Sequence, residues 1–365
     1  MPRMPQLPEM GEMPQMPTLP SLPQLPQLPL DQLLPGSRGE SAQLDLPSVD
    51  WSFIDAAYLI TCPQADGRNP RLDTAWSQLE AVGLGPLTSV REFGTDDEDR
   101  VRGCYTSHIS VLEEAAKRFA DVPEGENFNI LVLEDNLSIS PRIAQPTLDA
   151  IERFLSTENG PSVGPRDMVH LAYIMYVPGL SVEALPDREH IVRLQCNADS
   201  VLGTTAYVIS RSGLTTLLEE HRRTGYVDAI PNMMARLFPD TRFAAYPMPL
   251  HRAAKVKSLV NGQLDALRAL IFQPQVYTQW EKTLVATGLS TNILFPSLCV
   301  ALLLGSVLGL SQTVSAVIAA AQGQDVNLAL PVFSSLVSGA CLVVLGYGLA
   351  LAPKPETAKA EPGSG

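Results

Sequence analysis

Glu134 and Asp135, followed by Asn136, stand where the apolar run Ile130-Leu131-Val132-Leu133 stops. In open α/β sheets ligands gather at the carboxyl ends of strands, so two adjacent carboxylates there call for a reason. Desolvating like charges is costly, and such a pair faces water, accepts several backbone hydrogen bonds or holds a cation. A hard divalent ion, Mn²⁺ or Mg²⁺, suits oxygen ligands and would bridge to a diphosphate. A strand end followed by a solvated turn accounts for the same residues, and spacing alone leaves both open. The acids Asp96-Asp97-Glu98-Asp99, in a loop flanked by Gly and Thr, read as solvated rather than as a second metal site. Cys104 reads as a small buried residue rather than a nucleophile. Ser210-Arg211-Ser212-Gly213 is not G-x-S-x-G and no H-E-x-x-H occurs, which weakens hydrolase readings.

Composition restricts the partners. Lys and Arg number 26 against 39 Asp and Glu, a formal net charge of −13, so a nucleic-acid binder with a broad basic face is disfavoured. A phosphate ligand must be met locally. Cys62, Cys104, Cys196, Cys299 and Cys341 are odd in number and far apart, matching neither a disulfide framework nor a paired CxxC zinc pattern. A chain of 365 residues fits one domain with appendages.

The elements that must position these groups are legible between about Val49 and Leu250. Ala56 to Cys62 and Ile130 to Leu133 read as buried strands. Leu72, Trp76, Leu79 and Val82 recur at helical spacing and stop before Gly83, while Ile109, Leu112, Ala116 and Phe119 predict a second helix with Ser107 as its cap. Strands are expected at Val169 to Val177 and Ala206 to Ser210, the latter leading through Gly213 into a helix with Leu214, Leu217 and Leu218 inward. This alternation predicts an α/β domain over residues 49–252.

The two ends differ in kind. Over residues 1–48 proline recurs every third residue at Pro2, Pro5, Pro8 and from Pro14 to Pro29, matching the polyproline II period. The arm is expected to be a disordered spacer or a ligand for an SH3- or WW-type groove. No charged residue occurs from Thr283 to Gln324, nor between Asp325 and Lys354. Two membrane-spanning helices are therefore expected, near Ile293–Val317 and Leu330–Ala352, forming a hairpin over 289–353 after a juxtamembrane segment at 253–288 and before a polar tail at 354–365. Arg252, Lys255, Lys257, Arg268 and Lys282 before the first span, with Lys354 and Lys359 after the second, put the domain on the cytoplasmic side. An endoplasmic reticulum or Golgi membrane is the alternative location.

Taken in order, the strand AAYLITC with Arg68 and Arg71, the segment Gly103-Cys104-Tyr105-Thr106-Ser107-His108-Ile109, the run Leu131 to Asn136, the stretch Ala206 to Gly213, and Asp228 resemble glycosyltransferase family 25. That family includes lipopolysaccharide-biosynthesis and procollagen galactosyltransferases. The resemblance spans roughly Phe53 to Leu250. It implies a GT-A-like nucleotide-sugar fold, a metal-bridged UDP-sugar and inverting transfer of a hexose, such as galactose, to a glycan or protein hydroxyl. Arg68, Arg71, His108 and Glu134 would then touch the donor, and Asp135 and Asn136 the metal. Asp228 would take the acceptor's proton, although a helix-cap role suits it equally. Two roles are open to His108 as well, a donor contact or a structural one, and Arg68 with Arg71 could instead stabilise a turn. Tyr173, Tyr176 and Tyr207 read as sheet packing, with stacking on a uracil ring the other possibility. The family's acidic motif is usually E-D-D. Asn136 departs from it, bringing an oxygen but no charge. Two other functions compete with transfer: a catalytically silent membrane adaptor whose arm docks partners, and a metal-dependent phosphohydrolase of nucleotide sugars.

Overall fold

Ala56–Thr61 (β1) is buried along its whole length, which requires cover on both faces and hydrogen-bonded neighbours on both edges. It has them in the computed structural model, which describes residues 46–64, 66–156, 166–186, 188–196, 202–239, 241–253 and 274–322, with 335 and 339. Residues 1–45 of the proline-rich arm, the polar tail, most of the second apolar span and residues 254–273 of the juxtamembrane segment lie outside the described residues.

From β1 the chain runs through α1 (Pro70–Ala81), β2 (Thr88–Glu92), α2 (Arg100–Arg118), β3 (Asn129–Glu134), β4 (Leu137–Ile139), α3 (Gln145–Ser156), β5 (Met168–Ala172), β6 (Ser181–Ala184) and β7 (Ile191–Gln195). It continues through β8 (Ala206–Ser210), α4 (Arg211–Thr224), α5 (Ile230–Leu237), β9 (Arg242–Ala245) and β10 (Leu250–Arg252). Two further helices follow, α6 (Pro274–Thr287) and α7 (Thr291–Ala321). Eight strands form a mixed sheet in the order β2-β1-β3-β8-β5-β9-β7-β6, and β4 pairs with β10. The sequence reading of an α/β domain is what the described residues form.

Both neighbours of β1 are parallel to it, with Leu59 opposite Val90 of β2 and Leu133 of β3. The chain leaves β1 by α1 to reach β2 on one side, then returns by α2 to β3 on the other. Helices α1 and α2 therefore cover opposite faces: Ala75 and Leu79 of α1 pack with Leu59, Leu131 and Leu133, while Ile109 and Leu112 of α2 pack with Tyr58, Ile130 and Val132. The gap between the carboxyl ends of β1 and β3 is a topological switch point, where the diverging helices leave a crevice.

Helix α2 starts earlier than its apolar spacing suggests. Asp99, not Ser107, is the cap, its carboxylate accepting from the Val101 and Arg102 N–H groups. Ser107 lies within the helix and donates its hydroxyl hydrogen to the Gly103 carbonyl. An apolar pattern marks only the buried part of a helix, and the first polar turn is invisible to it. The strand expected to reach Val177 ends at Ala172, after a register shift against β8. Tyr207 and Tyr173 are buried in the sheet region, as expected, and Tyr176 is half-buried.

The last part of the expected juxtamembrane segment, from Pro274, packs on the domain. In α6, Tyr277 and Leu284 join a core with Val182, Val192 and Met248, and Trp280 donates from Nε1 to the Met175 carbonyl at 3.1 Å. Glu281, almost fully buried, pairs with Arg142 at 2.6 Å and accepts from the Met248 N–H at 2.7 Å. At the start of α7 the Thr291 N–H and hydroxyl donate to the Leu180 and Val177 carbonyls at 2.8 and 2.7 Å. Helix α7 then runs 31 residues without a charge, long and apolar enough to cross a membrane, with side chains such as Leu304 and Leu308 exposed. The Thr313 hydroxyl lies 3.3 Å from that of Ser335.

Two tests follow from the packing. A Cβ at Gly213, in the first turn of α4, would overlap the carbonyl oxygen of Asp167, a backbone atom with no freedom to withdraw. Gly213→Ala is expected to cost about 1–3 kcal/mol of stability in urea unfolding of the detergent-solubilised chain. His170, buried in β5 with Nδ1 unpartnered among the described residues, has its pKa lowered from 6.5 to about 4 by burial and by the nearby Arg242 charge. Below pH 6.5 the unfolded chain takes up a proton that the fold refuses until about pH 4, so stability falls as pH drops through that window. His170→Phe should flatten this part of a stability profile against pH.

Candidate functional site

A cavity of about 380 Å³ opens at the switch point. Thr61 and Cys62 from the end of β1, Glu134 and Asp135 from the end of β3, and Thr204 and Thr205 before β8 line it, together with the first turns of α2. Ile174 and Ile230 supply apolar wall.

The pleat separates the two acids. Successive side chains of a strand point to opposite faces, so Glu134 follows Ile130 and Val132 toward α2 while Asp135 follows Leu131 and Leu133 toward α1. On the α2 side, His108 is fully buried with Nε2 3.3 Å from Glu134 Oε1 and Nδ1 3.1 Å from the Tyr207 hydroxyl. Thr204 donates its hydroxyl hydrogen to the same Glu134 oxygen, and the Asn136 amide donates to Oε2 at 2.8 Å. Burial alone would raise the Glu134 pKa, but the hydrogen bonds and charge of these partners outweigh it and hold it down to about 2. Tyr207, desolvated beside this carboxylate, has its pKa pushed well up and stays protonated.

On the α1 side, Asp135 pairs with Arg71 and accepts from the Thr61 hydroxyl at 2.6 Å. Local folding delivers both partners. Asn69 caps α1 through the Leu72 N–H, Pro70 opens the helix, and the Asn69 amide donates to Thr61 Oγ1 at 2.8 Å, so cap, strand end and acid form one chain. Burial pushes the Asp135 pKa up, against the lowering influence of Arg71 and Thr61. The Arg71 Nε and Nη1 atoms are buried without a hydrogen-bond partner among the described residues.

The expected site residues thus divide. Arg71, His108, Glu134, Asp135 and Asn136 converge on one cavity. Arg68 does not line it; its guanidinium is exposed and pairs with Asp66 within the turn. Asp228 also stands outside the lining, although Ala229, Ile230 and Pro231 belong to it. Its carboxylate accepts from the Ala229 N–H at 2.6 Å, Asn232 at 2.7 Å and Arg236 at 3.1 Å. Burial opposes these partners, yet they lower its pKa, which makes it a poor proton acceptor. Arg68 is thus held within the turn, while Asp228 stands just before Ala229, the N-cap of α5, which has no side-chain capping bond, and meets the side chains of Asn232 and Arg236.

Three lining residues carry functional potential that the sequence reading did not assign. Arg100 and Arg252 add positive charge, and Arg252 makes no ion pair among the described residues. Asp96 also lines the cavity, but Arg102 takes its carboxylate through two hydrogen bonds at 2.6 and 2.9 Å and draws its pKa to about 2. The acidic run is thus partly structural, with Asp99 as a cap and Asp96 as a clamp. Cys104 is half-buried, and burial pushes its thiol pKa up, in keeping with an unreactive thiol.

Potential metal donors fall into two sets. Asn136 Oδ1 is buried with no hydrogen-bond partner among the described residues; it and the Asp135 carboxylate are oxygen donors, the type a hard divalent cation takes, although Asn136 is turned to Glu134 and Asp135 to Arg71 on the other face of the sheet. A cation there would compete with Arg71 for Asp135. The second set, Cys104, His108 and Glu134, has ligand atoms within 4.8 Å of one another.

The chain matches no protein-family model and no curated protein.

Removing Arg71 leaves the Asp135 carboxylate desolvated with no opposite charge. Arg71→Ala is expected to lower stability by about 3 kcal/mol, and Asp135→Asn in the same background to restore part of it, a coupling that a double-mutant cycle reads directly.

Proposed function

We propose that the protein is a membrane-anchored glycosyltransferase of GT-A-like fold that moves a hexose from a UDP-sugar to a hydroxyl acceptor with inversion. What supports this reading is the cavity at the β1/β3 switch point, where arginines and carboxylates meet in a chain that is otherwise strongly acidic. Its volume lies within the range of small-molecule sites. Arg252 and Arg100 are the groups to face a diphosphate, and the Arg71 nitrogens without hydrogen-bond partners add donors beside them. Ile174 and Ile230 would exclude water from the sugar. Asp135 and Asn136 would hold Mn²⁺ or Mg²⁺, which when bound would offset charge on the leaving diphosphate. The anchor in this reading is a two-helix hairpin, α7 with the second apolar span, and the flanking basic residues favour a cytoplasmic domain under the positive-inside rule. The proline-rich arm is the segment to engage an SH3- or WW-type partner.

One observation favours the silent-adaptor reading instead. Every carboxylate lining the cavity is already partnered inside the protein, Glu134 by His108, Thr204 and Asn136, Asp135 by Arg71 and Thr61, and Asp96 by Arg102, while Asp228 is turned to Asn232 and Arg236 of α5. A chain that has no use for a metal-bridged donor can keep such a site as structure.

Thermal unfolding of the full chain in detergent, with and without Mn²⁺ across a panel of UDP-sugars, separates the two. A ligand at one hundred times its Kd raises stability by about 2.7 kcal/mol. The transferase reading expects a Mn²⁺-dependent shift with one donor, lost in Asp135→Ala, and sugar transfer to an added acceptor. No shift with any donor would leave the adaptor as the function, and sugar release without an acceptor would indicate a phosphohydrolase.

A further inference from the structure

Cys104 and His108 are one helical turn apart on α2, so they share a face of that helix. Both line the cavity, and across from them the pleat of β3 delivers Glu134. We infer that Cys104, His108 and Glu134 form a metal site of their own, built for zinc or a similarly borderline-soft divalent ion, with one coordination position open to the cavity.

The donor types set the ion. A thiolate, an imidazole and a carboxylate suit Zn²⁺ and disfavour Mg²⁺, Ca²⁺ and Mn²⁺, which take oxygen. Three protein ligands around a tetrahedral ion leave a fourth position, and here the neighbouring space is the cavity, where a water or a phosphate oxygen can complete the shell. The spacing is close to what bonding needs. Tetrahedral bonds of the usual Zn–S and Zn–N lengths hold ligand atoms about 3.5 Å apart. His108 Nε2 and Glu134 Oε1 already stand at 3.3 Å, and all three ligand atoms lie within 4.8 Å of one another, so small side-chain rotations close the set.

The surroundings also hold the ligands in place. A metal-bound imidazole keeps its orientation when its other nitrogen is hydrogen-bonded, and His108 Nδ1 has the buried Tyr207 hydroxyl at 3.1 Å. The second oxygen of Glu134 is fixed by Asn136 at 2.8 Å. Asp135 belongs to the other face of the sheet with Arg71, so a hard cation at Asp135 and Asn136 and a soft one at Cys104 would use different ligand atoms. The inference does not depend on the transferase reading: an adaptor could carry this ion as readily.

The test uses the full-length chain in detergent, without a polyhistidine tag, stripped with chelator and then titrated with Zn²⁺ or Co²⁺. The expected result is saturable binding of one ion and, with Co²⁺, a thiolate-to-cobalt charge-transfer band in the near ultraviolet with the intense visible bands of a four-coordinate ion. Cys104→Ser and Cys104→Ala should abolish the charge-transfer band, His108→Gln should weaken binding, and Asp135→Asn should leave both intact. Tyr207→Phe, a change at a positioning residue, should weaken zinc binding about 10-fold or more while the band persists. Circular dichroism of each variant separates lost binding from lost fold, and the wild-type spectrum stands without any variant. Absence of the band in the wild type would overturn the proposal, as would a band that survives Cys104→Ser. Zinc binding lost in Asp135→Asn but kept in Cys104→Ser would move the ion to the oxygen donors and overturn it equally. Loss of UDP-sugar binding with zinc binding intact would refute the transferase reading alone.

Discussion

The pleat of β3 sends two consecutive carboxylates to opposite faces of the sheet, and the surrounding structure answers each separately. Glu134 meets α2 through His108, and Asp135 meets α1 through Arg71. The two helices lie on opposite faces because β1 connects to β2 on one side and β2 returns to β3 on the other. The crossover that opens the crevice therefore also supplies a different kind of partner on each face. A mutual repulsion between neighbouring acids becomes two local contacts, one cationic and one built from hydrogen bonds.

Burial governs what those contacts do to the charges. Glu134 gathers three side-chain partners, enough to outweigh its desolvation, and its pKa is held down to about 2. Asp135, with one guanidinium and one hydroxyl from side chains, does not fully offset its own, and its pKa stays raised. Asn136 belongs to the Glu134 side: its side-chain amide donates to Glu134, while its side-chain oxygen is buried without a partner among the described residues. A third carboxylate at this position would have added a like charge beside Glu134 where the amide now donates a hydrogen bond.

The far edge of the sheet ties the cavity to the apolar helix. Ile174 lines the cavity, and the next residue, Met175, gives its carbonyl to Trp280 of α6. Val177 and Leu180 give theirs to Thr291 at the first residue of α7. A short run of backbone thus joins the cavity wall to the base of a helix long enough to span a bilayer. The pair of Arg142 with the buried Glu281 also holds α6 to the domain.

Residue type and local period made the strands at Ala56 and Ile130, the helix at Leu72, the apolar helix after Thr291 and the acid pair at a strand end legible in the sequence, because each is a short-range pattern of burial. The same patterns missed the polar first turn of α2, the short strands β6, β7 and β9, and the docking of α6, where individual residues such as Glu281 look soluble until a partner 139 residues away is in place. Arg68 and Arg71 were indistinguishable in sequence; one turn of backbone puts Arg68 in solvent beside Asp66 and Arg71 against Asp135. Cys104, His108 and Glu134 were each visible, yet their grouping was not, since the ligand spacing on α2 is helical while the third residue arrives from a strand 26 residues beyond His108. Sequence by itself determined which segments bury and where acids stop a strand, because burial period and residue charge are local properties. Which acid meets which base was decided only by the tertiary structure, because that depends on the face of the sheet each helix crosses.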